Sequence, residues 1–409
     1  MSGILVVGAG QAGASLVETL RTEGYDGPVT LIGAEPHLPY QRPPLSKKYL
    51  LGEMEVERLH LRTEAYYADH DIALRLGARV SGINREEKEI HIGHDRIGYD
   101  QLALCTGAYP RRLPAAIGGA LPGVFTIRNL ADIDAMSPYF KPGARVLIVG
   151  GGYIGLEAAA VAAERGLNVT LVEMADRILK RVASTDTAAY FRDLHRKNGV
   201  DIREHTGLEG LHGDTHVDGA DLTDGTHLDV DFVIAGIGVR PDTWLAEAAD
   251  LTVNDGIRVD TAGRTSDPAV FAAGDATSFP HEGAHLRLES VPHAIEQAEV
   301  VARAMLGQDV TYQARPWFWS DQYDIKLQIA GLHAGCETTV VRPGTRAGAQ
   351  SVWYYTNGRL VAVDAMNDAR AYRMGKSWIE AGLTPPAAAV SDPERDLKTL
   401  CSPEAQAAV

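Results

Sequence analysis

The sequence has few cysteines, more acidic than basic residues, and no long apolar run. Its three cysteines form no C-x-x-C pair and no disulfide framework, so we expect a reducing cytoplasm and no metal centre. The net charge of −15 disfavours the cationic face that nucleic acid requires. No apolar run approaches the length of a membrane span, and the first predicted strand begins at Ile4. We therefore expect neither a signal peptide nor nucleic acid nor a membrane partner.

What the chain does contain is a patterned group of glycines near its start. The apolar residues 4–7 read as a buried strand, and Gly8, Gly10 and Gly13 follow at G-x-G-x-x-G spacing before a predicted helix. In this motif the first glycine permits the turn, the second lets a phosphate reach bare backbone, and the third lets helix and strand pack closely. Glu35 ends the next predicted strand, where a carboxylate can accept hydrogen bonds from a ribose. The pattern predicts dinucleotide binding, with a plain tight turn as the alternative.

The same pattern occurs a second time. Gly150, Gly152 and Gly155 follow the apolar residues 145–149, and the next predicted strand ends in Glu173. A carboxylate there binds the free 2′-hydroxyl of NAD and repels the 2′-phosphate of NADP, so we expect NADH to be preferred by at least about tenfold. Each half continues to a buried strand that ends in small residues. We interpret the two halves as an internal duplication of a nucleotide-binding unit.

The segments between these motifs carry further expectations. The predicted strand that closes at Thr106 and Gly107 lets its backbone approach a ligand, and another strand ends at Gly274-Asp275. Asp275 could bind a polyol such as a ribityl chain or cap a helix. Residues 36–48 are rich in proline and predict an extended loop, after which Ser46 caps a helix that begins near Lys47. Residues 72–92 alternate as a meander of strands.

The composition and the predicted pattern of secondary structure change after Pro316. An aromatic cluster at 317–323 precedes predicted strands at 325–329, 338–342, 351–356 and 359–363 and a helix near 369–381, which indicates an α+β domain. We therefore predict three domains. The first nucleotide-binding domain comprises 1–109 and 241–316, the second comprises 110–240, and the α+β domain comprises 317–409.

Five segments carry a family resemblance: residues 42–47 (RPPLSK), 150–157 (GGGYIGLE), 235–238 (AGIG), 289–292 (ESVP) and 316–323 (PWFWSDQY). With them the chain resembles, over essentially its whole length, the NADH-dependent ferredoxin reductases of bacterial oxygenase systems. The resemblance implies the α/β, glutathione-reductase-like fold, with Rossmann-like FAD and NAD domains and a C-terminal α+β domain. It implies FAD and NADH as cofactors. It also implies a [2Fe–2S] ferredoxin as electron acceptor, which in turn feeds a cytochrome P450 or a ring-hydroxylating dioxygenase.

The resemblance also assigns residues. Lys47 would lie beside flavin N5 and close to Glu157, and these two are our candidate catalytic residues. The FAD-binding residues would be Gly8, Gly10, Ala12, Gly13, Glu35, Arg42, Val80, Thr106, Gly107, Arg128, Gly274, Asp275, Val291 and Trp319. NADH would bind Gly150, Gly152, Ile154, Gly155, Glu173, Gly238 and Glu289. One departure is Ala34, where members often carry an acidic residue.

Cysteine placement narrows the chemistry within this fold. Disulfide reductases and related peroxidases need thiols beside the flavin, whereas no cysteine precedes Cys105 and Ser46 occupies the relevant loop. Electrons must therefore leave the flavin directly. Rubredoxin or oxygen as the acceptor is one alternative, and a redox sensor like apoptosis-inducing factor is another. The sequence leaves a monomer and a homodimer equally open.

Overall fold

The computed structural model describes residues 3–401. The chain divides into two compact units. The first is drawn from Met1–Arg42, Met54–Tyr109 and Val239–Ala314. The second is drawn from Pro43–Glu53, Pro110–Gly238 and Arg315–Val409. Each unit contains its own parallel sheet.

The first unit is built on a five-stranded parallel sheet. Its strand order is Val270–Ala272, Gln101–Leu104, Ile4–Val7, Val29–Ile32 and Ile72–Arg75. The inner strands are continuous apolar runs because both faces of a parallel sheet are covered, and Val6, Leu31 and Ala103 are fully buried. The helices of this unit are Gln11–Thr22, Glu64–Asp69, Trp244–Ala248 and Val291–Met305, and the first packs along the last.

Two three-stranded sheets also belong to the first unit. One is antiparallel and consists of Gly82–Asn84, Glu89–Ile92 and Asp95–Gly98. The other contains Ile257–Arg258, Thr277–His281 and Ala284–Leu286. Short strands also occur at Ala108–Pro110 and Val239–Pro241, and a 3₁₀ turn lies at Val56–Arg58.

The predicted meander over 72–92 is wrong in its first part. Ile72–Arg75 pairs in parallel with Val29–Ile32 and follows the helix Glu64–Asp69, so it is the third strand of the parallel sheet. As an edge strand it has alternating burial, and this is the same signal that a meander strand gives. Only residues 82–98 form the antiparallel sheet, and Val80 lies outside any strand.

The second unit repeats the parallel sheet. Its order is Asp201–Glu204, Asn168–Glu173, Arg145–Val149, Phe232–Ala235 and Val124–Phe125. Numbered from each glycine-motif strand, both sheets run third, second, first, fourth, which is the Rossmann order. Helices Leu130–Met136, Tyr153–Glu164 and Thr185–Lys197 accompany the sheet, with 3₁₀ turns at Ala115–Ile117 and Ser137–Tyr139. An antiparallel sheet of Leu208–His212, Gly219–Leu222 and His227–Asp229 follows.

The second unit also contains the C-terminal α+β region. Its antiparallel sheet has the order Trp317–Gln322, Ile325–Gly331, Arg359–Met366, Gln350–Thr356 and Thr338–Pro343. Helices Ala369–Ala381 and Ala387–Ser391 and a 3₁₀ turn at Leu397–Thr399 follow. The four predicted strands and the helix after them are confirmed. The aromatic cluster proves to be a fifth strand that we did not predict.

Within residues 3–401, no helix is both long and apolar enough to cross a bilayer.

Candidate active site

The first glycine turn leaves one stretch of backbone open. Gly8 has φ of 115°, and a Cβ there would lie 2.0 Å from the carbonyl oxygen of Cys105. A Cβ on Gly13 would lie 1.9 Å from the Gly8 oxygen, whereas a Cβ on Gly10 would meet nothing within 4 Å. The first and third glycines are therefore needed for packing, and the second faces open space. Gly10 also begins the helix Gln11–Thr22 without a side-chain cap, as at an anion-binding helix N-terminus.

The second glycine turn has the same construction. Gly150 has φ of 108°, and a Cβ there would lie 2.5 Å from the Gly236 oxygen. A Cβ on Gly155 would lie 2.1 Å from the Gly150 oxygen, and one on Gly152 would meet nothing within 4 Å. Gly152 begins the helix Tyr153–Glu164, again without a side-chain cap, and Ile154 in its first turn is 44% exposed. Both turns thus present an open cradle that fits a pyrophosphate.

Two other predicted residues, Gly274 and Asp275, lie in the segment that packs against the first glycine turn. A Cβ on Gly274 would lie 3.0 Å from Ala12 Cβ, so the bend that follows the strand Val270–Ala272 is brought against the glycine motif. Asp275 occupies a turn, and the next helix is capped by Ser290. The alternative that Asp275 caps a helix is therefore wrong, whereas its predicted ribityl contact stays a prediction.

Glu35 and Arg42 form an ion pair in the first unit. Arg42 Nη2 lies 2.7 Å from Glu35 Oε1, and Tyr40 donates its hydroxyl to Glu35 Oε2 at 2.5 Å. Burial opposes the charge on Glu35, but Arg42 and Tyr40 outweigh it and lower the pKa of the carboxyl. Burial likewise opposes the charge on Arg42, but Tyr40, Glu35 and Asp275 together raise its pKa. The pair stays charged near neutral pH, and its predicted contacts with ribose and pyrophosphate stay predictions.

Glu173 holds the second glycine turn in place. Its Oε2 accepts a hydrogen bond from the backbone N–H of Gly151 at 2.8 Å, and its Oε1 accepts one from Ala175 at 2.8 Å. The carboxylate at the end of the second strand is thus tied to the turn that precedes the helix. A loss of Glu173 would disturb the turn as well as any ribose contact.

The two candidate catalytic residues, Lys47 and Glu157, are in direct contact. Lys47 Nζ lies 2.9 Å from Glu157 Oε1, and the Glu157 side chain is only 5% exposed. Ser46 Oγ donates to Glu157 Oε2 at 2.8 Å, and Ser320 Oγ donates to Oε1 at 2.7 Å. A buried carboxylate must be paired and hydrogen-bonded to remain charged. Three donors satisfy this one, and they leave Lys47 held at a fixed point.

The prediction that Ser46 caps a helix is wrong. Residues Leu45–Tyr49 form a single π-type turn interrupted at Lys47, with no side-chain cap at its start. Ser46 lies inside the turn and is buried, because its hydroxyl is directed at Glu157. The proline-rich loop before Ser46 suggested that a helix starts there. Instead, the Ser46 side chain donates to Glu157, which is distant in sequence.

The remaining predicted residues occupy separate positions in their units. In the first unit, Thr106 Oγ1 donates to the Asp242 carbonyl at 2.6 Å, Gly107 has φ of 71°, and Val80 is buried in the apolar core. Glu289 forms an ion pair with Arg287, and Val291 begins the helix Val291–Met305.

In the second unit, the Arg128 backbone N–H donates to Asp132 at 2.9 Å, and Gly238 has φ of 90°. Trp319 stacks on Trp317 with ring centroids 5.7 Å apart. These positions do not by themselves assign a ligand to Arg128, Gly238 or Trp319. Their cofactor roles stay predictions.

Comparison with known proteins identifies the family. The model for pyridine nucleotide-disulphide oxidoreductases matches residues 2–298, and a reductase C-terminal model matches residues 317–401. The chain belongs to the pyridine nucleotide-disulphide oxidoreductase family. This confirms the family and fold class that the sequence predicted.

The relatives that match over the full length have more specific names than the family model. The chain is 42% identical to a ferredoxin–NAD(P)⁺ reductase of Sphingomonas sp. over 98% of both chains. It is 39% identical to rhodocoxin reductase of Rhodococcus erythropolis over 97% of this chain and 93% of the relative. Among solved structures it matches a covalent putidaredoxin reductase–putidaredoxin complex with a TM-score of 0.94 and 37% identity, over 98% of both chains.

The family's disulphide chemistry needs thiols, and the first unit offers only one. Cys105 is buried in the core beneath the glycine turn, and burial raises the pKa of its thiol to about 12. A thiol that is neither exposed nor ionised is a poor nucleophile. Cys105 is therefore a core residue and not a reactive thiol.

The sequence interpretation missed the polar residues behind Glu157. In the strand Trp317–Gln322, Phe318, Ser320 and Gln322 share one face, and both polar residues have zero exposure. Gln322 contacts His195, which lies on a helix far away in sequence. The available signal was the i, i+2 spacing of Ser320 and Gln322, which places both on one face of a strand.

Proposed function

We propose that the protein is an FAD-dependent ferredoxin–NAD⁺ reductase. It takes hydride from NADH and passes electrons singly to a [2Fe–2S] ferredoxin that feeds a cytochrome P450 or a ring-hydroxylating dioxygenase. The observation that carries the proposal is a pair of open glycine cradles on two Rossmann-ordered sheets, with the Cys105 thiol of the first unit buried and un-ionised. Relatives named as reductases of ferredoxins, at about 40% identity over the full length, support the acceptor class.

The first cradle is proposed to hold FAD and the second NADH. Gly274, in the bend after the strand Val270–Ala272, lies against Ala12 in the first unit, which supports a resident cofactor there, with Asp275 toward its ribityl chain. FAD held there would supply hydride acceptance and one-electron release, the chemistry that a one-electron iron–sulfur acceptor requires. Each NADH thus reduces two ferredoxins and releases one proton. The predicted three domains, 1–109 with 241–316, 110–240, and 317–409, correspond in this proposal to FAD binding, NAD binding and the α+β region.

The residues of the chain contribute binding and fixed charge rather than acid–base chemistry. Hydride transfer needs the two rings to be positioned and needs no protein nucleophile. We propose that Lys47, fixed by Glu157 and the hydroxyls of Ser46 and Ser320, places its cation beside the flavin. A fixed cation stabilises the negative charge that develops on reduction.

The choice of NADH over NADPH rests on Glu173. Its two oxygens are held by backbone N–H groups, so its negative charge is fixed at the end of the second strand. We propose that kcat/KM for NADH exceeds that for NADPH by at least about tenfold. Comparable values for the two nucleotides would refute this specificity.

The scattered cysteines further support a cytoplasmic location.

The experiment that tests the proposal compares acceptors. NADH oxidation by the purified holoenzyme is measured with oxygen alone, with a rubredoxin, and with a [2Fe–2S] ferredoxin coupled to cytochrome c. We expect fast turnover only with the ferredoxin. Equal turnover with oxygen alone would favour an NADH oxidase, and faster turnover with rubredoxin would favour a rubredoxin reductase. Slow turnover with every acceptor and NADH-dependent dimerisation would favour a redox sensor.

A further inference from the structure

A chain of buried hydrogen bonds extends from Glu157 to Tyr323 in the second unit. Ser320 Oγ lies 2.7 Å from Glu157 Oε1, and Gln322 Nε2 lies 3.1 Å from Ser320 Oγ. Gln322 Oε1 lies 2.8 Å from His195 Nε2, and His195 Nδ1 lies 3.1 Å from the Tyr323 hydroxyl. Ser320, Gln322 and His195 all have zero exposure. Such a buried polar chain is stable only when every member is satisfied.

The direction of every bond in this chain is determined. The Gln322 amide nitrogen donates to Ser320, so its oxygen faces His195 and can only accept. His195 must therefore carry its proton on Nε2, and Nδ1 accepts from Tyr323. Burial lowers the pKa of His195 to about 4, so the ring is neutral near pH 7. Every donor in the chain consequently points toward Glu157.

The backbone at Tyr323, the end of the hydrogen-bond chain farthest from Glu157, has an unusual conformation. Tyr323 has φ of 55°, in the two-residue turn that joins the strands Trp317–Gln322 and Ile325–Gly331. That region is unfavourable for an aromatic residue and is normally occupied by glycine or asparagine. This conformation accompanies the contact of the Tyr323 hydroxyl with His195.

We propose that Ser320, Gln322 and His195 are positioning residues that fix the Glu157 carboxylate, and through it the Lys47 cation. This inference rests on the proposed role of Lys47 beside the flavin. Glu157 Oε1 is shared between Lys47 and Ser320, so the orientation of the carboxylate sets where the ammonium lies. A loss of the chain leaves the charge pair in place but allows it to rotate. Small errors in the position of a group at a reacting centre cost rate.

The test compares Q322L, K47M and Y354F in the FAD-loaded enzyme. Q322L removes both hydrogen bonds of the amide at similar volume. Y354F is the matched control, because Tyr354 donates to a different buried carboxylate, Asp364, in the same unit. We measure the midpoint potential of the bound flavin and the rate at which NADH reduces it.

We expect Q322L to shift the midpoint potential in the same direction as K47M and to slow reduction by at least about threefold. Y354F should change neither quantity. An unchanged Q322L beside an altered K47M would overturn the inference and leave the proposed function standing. Unchanged values in K47M would refute the flavin role of Lys47 and the inference with it.

A second measurement does not depend on a variant that folds or on activity. Nitrogen-15 NMR of histidine-labelled holoenzyme reports which ring nitrogen of His195 carries the proton. We expect a neutral ring protonated on Nε2 at pH 7. A ring protonated on Nδ1 alone would reverse the bonds to both Gln322 and Tyr323, and a charged ring would reverse the bond to Tyr323. Either result would overturn the inference.

The antiparallel sheet of the second unit independently points to a metal site. His212, Asp221 and His227 lie one on each strand, with Asp221 directly opposite His227 and His212 opposite Gly219. Each histidine has a ring nitrogen 2.6 Å from a different Asp221 oxygen, and the three ligand atoms lie within 4.8 Å of one another. Two imidazoles and one carboxylate form a ligand set suited to Zn²⁺.

The sheet also makes room for this cluster. A Cβ on Gly219 would lie 3.0 Å from His227 Cε1, so the glycine provides the space in which the ring lies. We infer a solvent-accessible site for one divalent transition metal. The prediction of no metal centre rested on the cysteines, whereas the site proposed here uses none.

Zn²⁺ titration calorimetry at pH 7.5 tests this site. We expect one Zn²⁺ per chain, with binding weakened at least about tenfold in H212A. H285A is the control, because His285 is an exposed histidine on a hairpin of the first unit, and it should bind as the wild type does. No saturable binding by the wild type, or unchanged binding by H212A, would overturn the site.

Discussion

The Lys47–Glu157 pair provides the sharpest energetic prediction. K47M removes the ammonium from a carboxylate that is only 5% exposed. Breaking a buried pair on one side typically costs about 3–5 kcal/mol. The hydroxyls of Ser46 and Ser320 remain, and they stabilise the carboxylate in part. We therefore expect K47M to lower the free energy of unfolding by about 3 kcal/mol, the lower end of that range.

A double-mutant cycle isolates the coupling between the two charges. In K47M/E157Q the side chain left behind is neutral, so the double variant should recover much of the loss, with a coupling energy of at least about 1.5 kcal/mol. Urea unfolding of the holoenzyme, followed by tryptophan fluorescence, measures each corner. K48M is the matched control, because Lys48 is exposed, and it should change stability by less than about 0.5 kcal/mol. Strictly additive losses in the double variant would refute the pairing.

Three further predictions concern pH and the glycine turn. Burial lowers the pKa of both His195 and His293 to about 4, so each contributes stability that is complete above pH 6.5 and is lost as pH falls toward 4. The loss is about 3 kcal/mol per histidine, and urea unfolding from pH 8 to 4 should show a shallower decline in H195Q. Burial raises the pKa of Asp364 to about 6, so ionisation of this carboxyl destabilises the fold as pH rises from 3.8 to 6 and partly offsets the effect of the histidines; D364N should therefore make the loss of stability on acidification steeper in the same assay. G10A apoprotein should melt like wild-type apoprotein yet bind FAD at least about tenfold more weakly, because the added Cβ meets no protein atom and occupies the open space proposed for the pyrophosphate, whereas G13A should fold poorly; a melting scan of the apoproteins and the bound FAD content separate them. Normal FAD content in G10A would contradict the cradle.

The parts of the fold that the sequence predicted correctly are those encoded by local signals. The two glycine motifs each combine an apolar strand, a fixed spacing and an acidic residue that ends the next strand, and all of these lie within one βαβ unit. The carboxylate of Glu173 then holds its own turn through Gly151, which explains why the acidic residue and the glycines occur together. Lys47 and Glu157 came together as the family resemblance implied.

The errors arose where long-range contacts decide the outcome. Ser46 has the composition of a helix cap, but its hydroxyl is directed at Glu157, far along the chain. Residues 72–75 alternate as a meander strand does, yet they pair in parallel at a sheet edge. His195 and Gln322 carry no local signal for each other, since they meet only when a helix packs behind a strand.

The most direct test of the proposed function is an anaerobic titration. Limiting NADH is added to a catalytic amount of holoenzyme and an excess of oxidised [2Fe–2S] ferredoxin, and ferredoxin reduction is followed by its visible absorbance. The account predicts two ferredoxins reduced for each NADH consumed, since a hydride carries two electrons and the acceptor takes one at a time. A flavin that NADH reduces while the ferredoxin stays oxidised would contradict it.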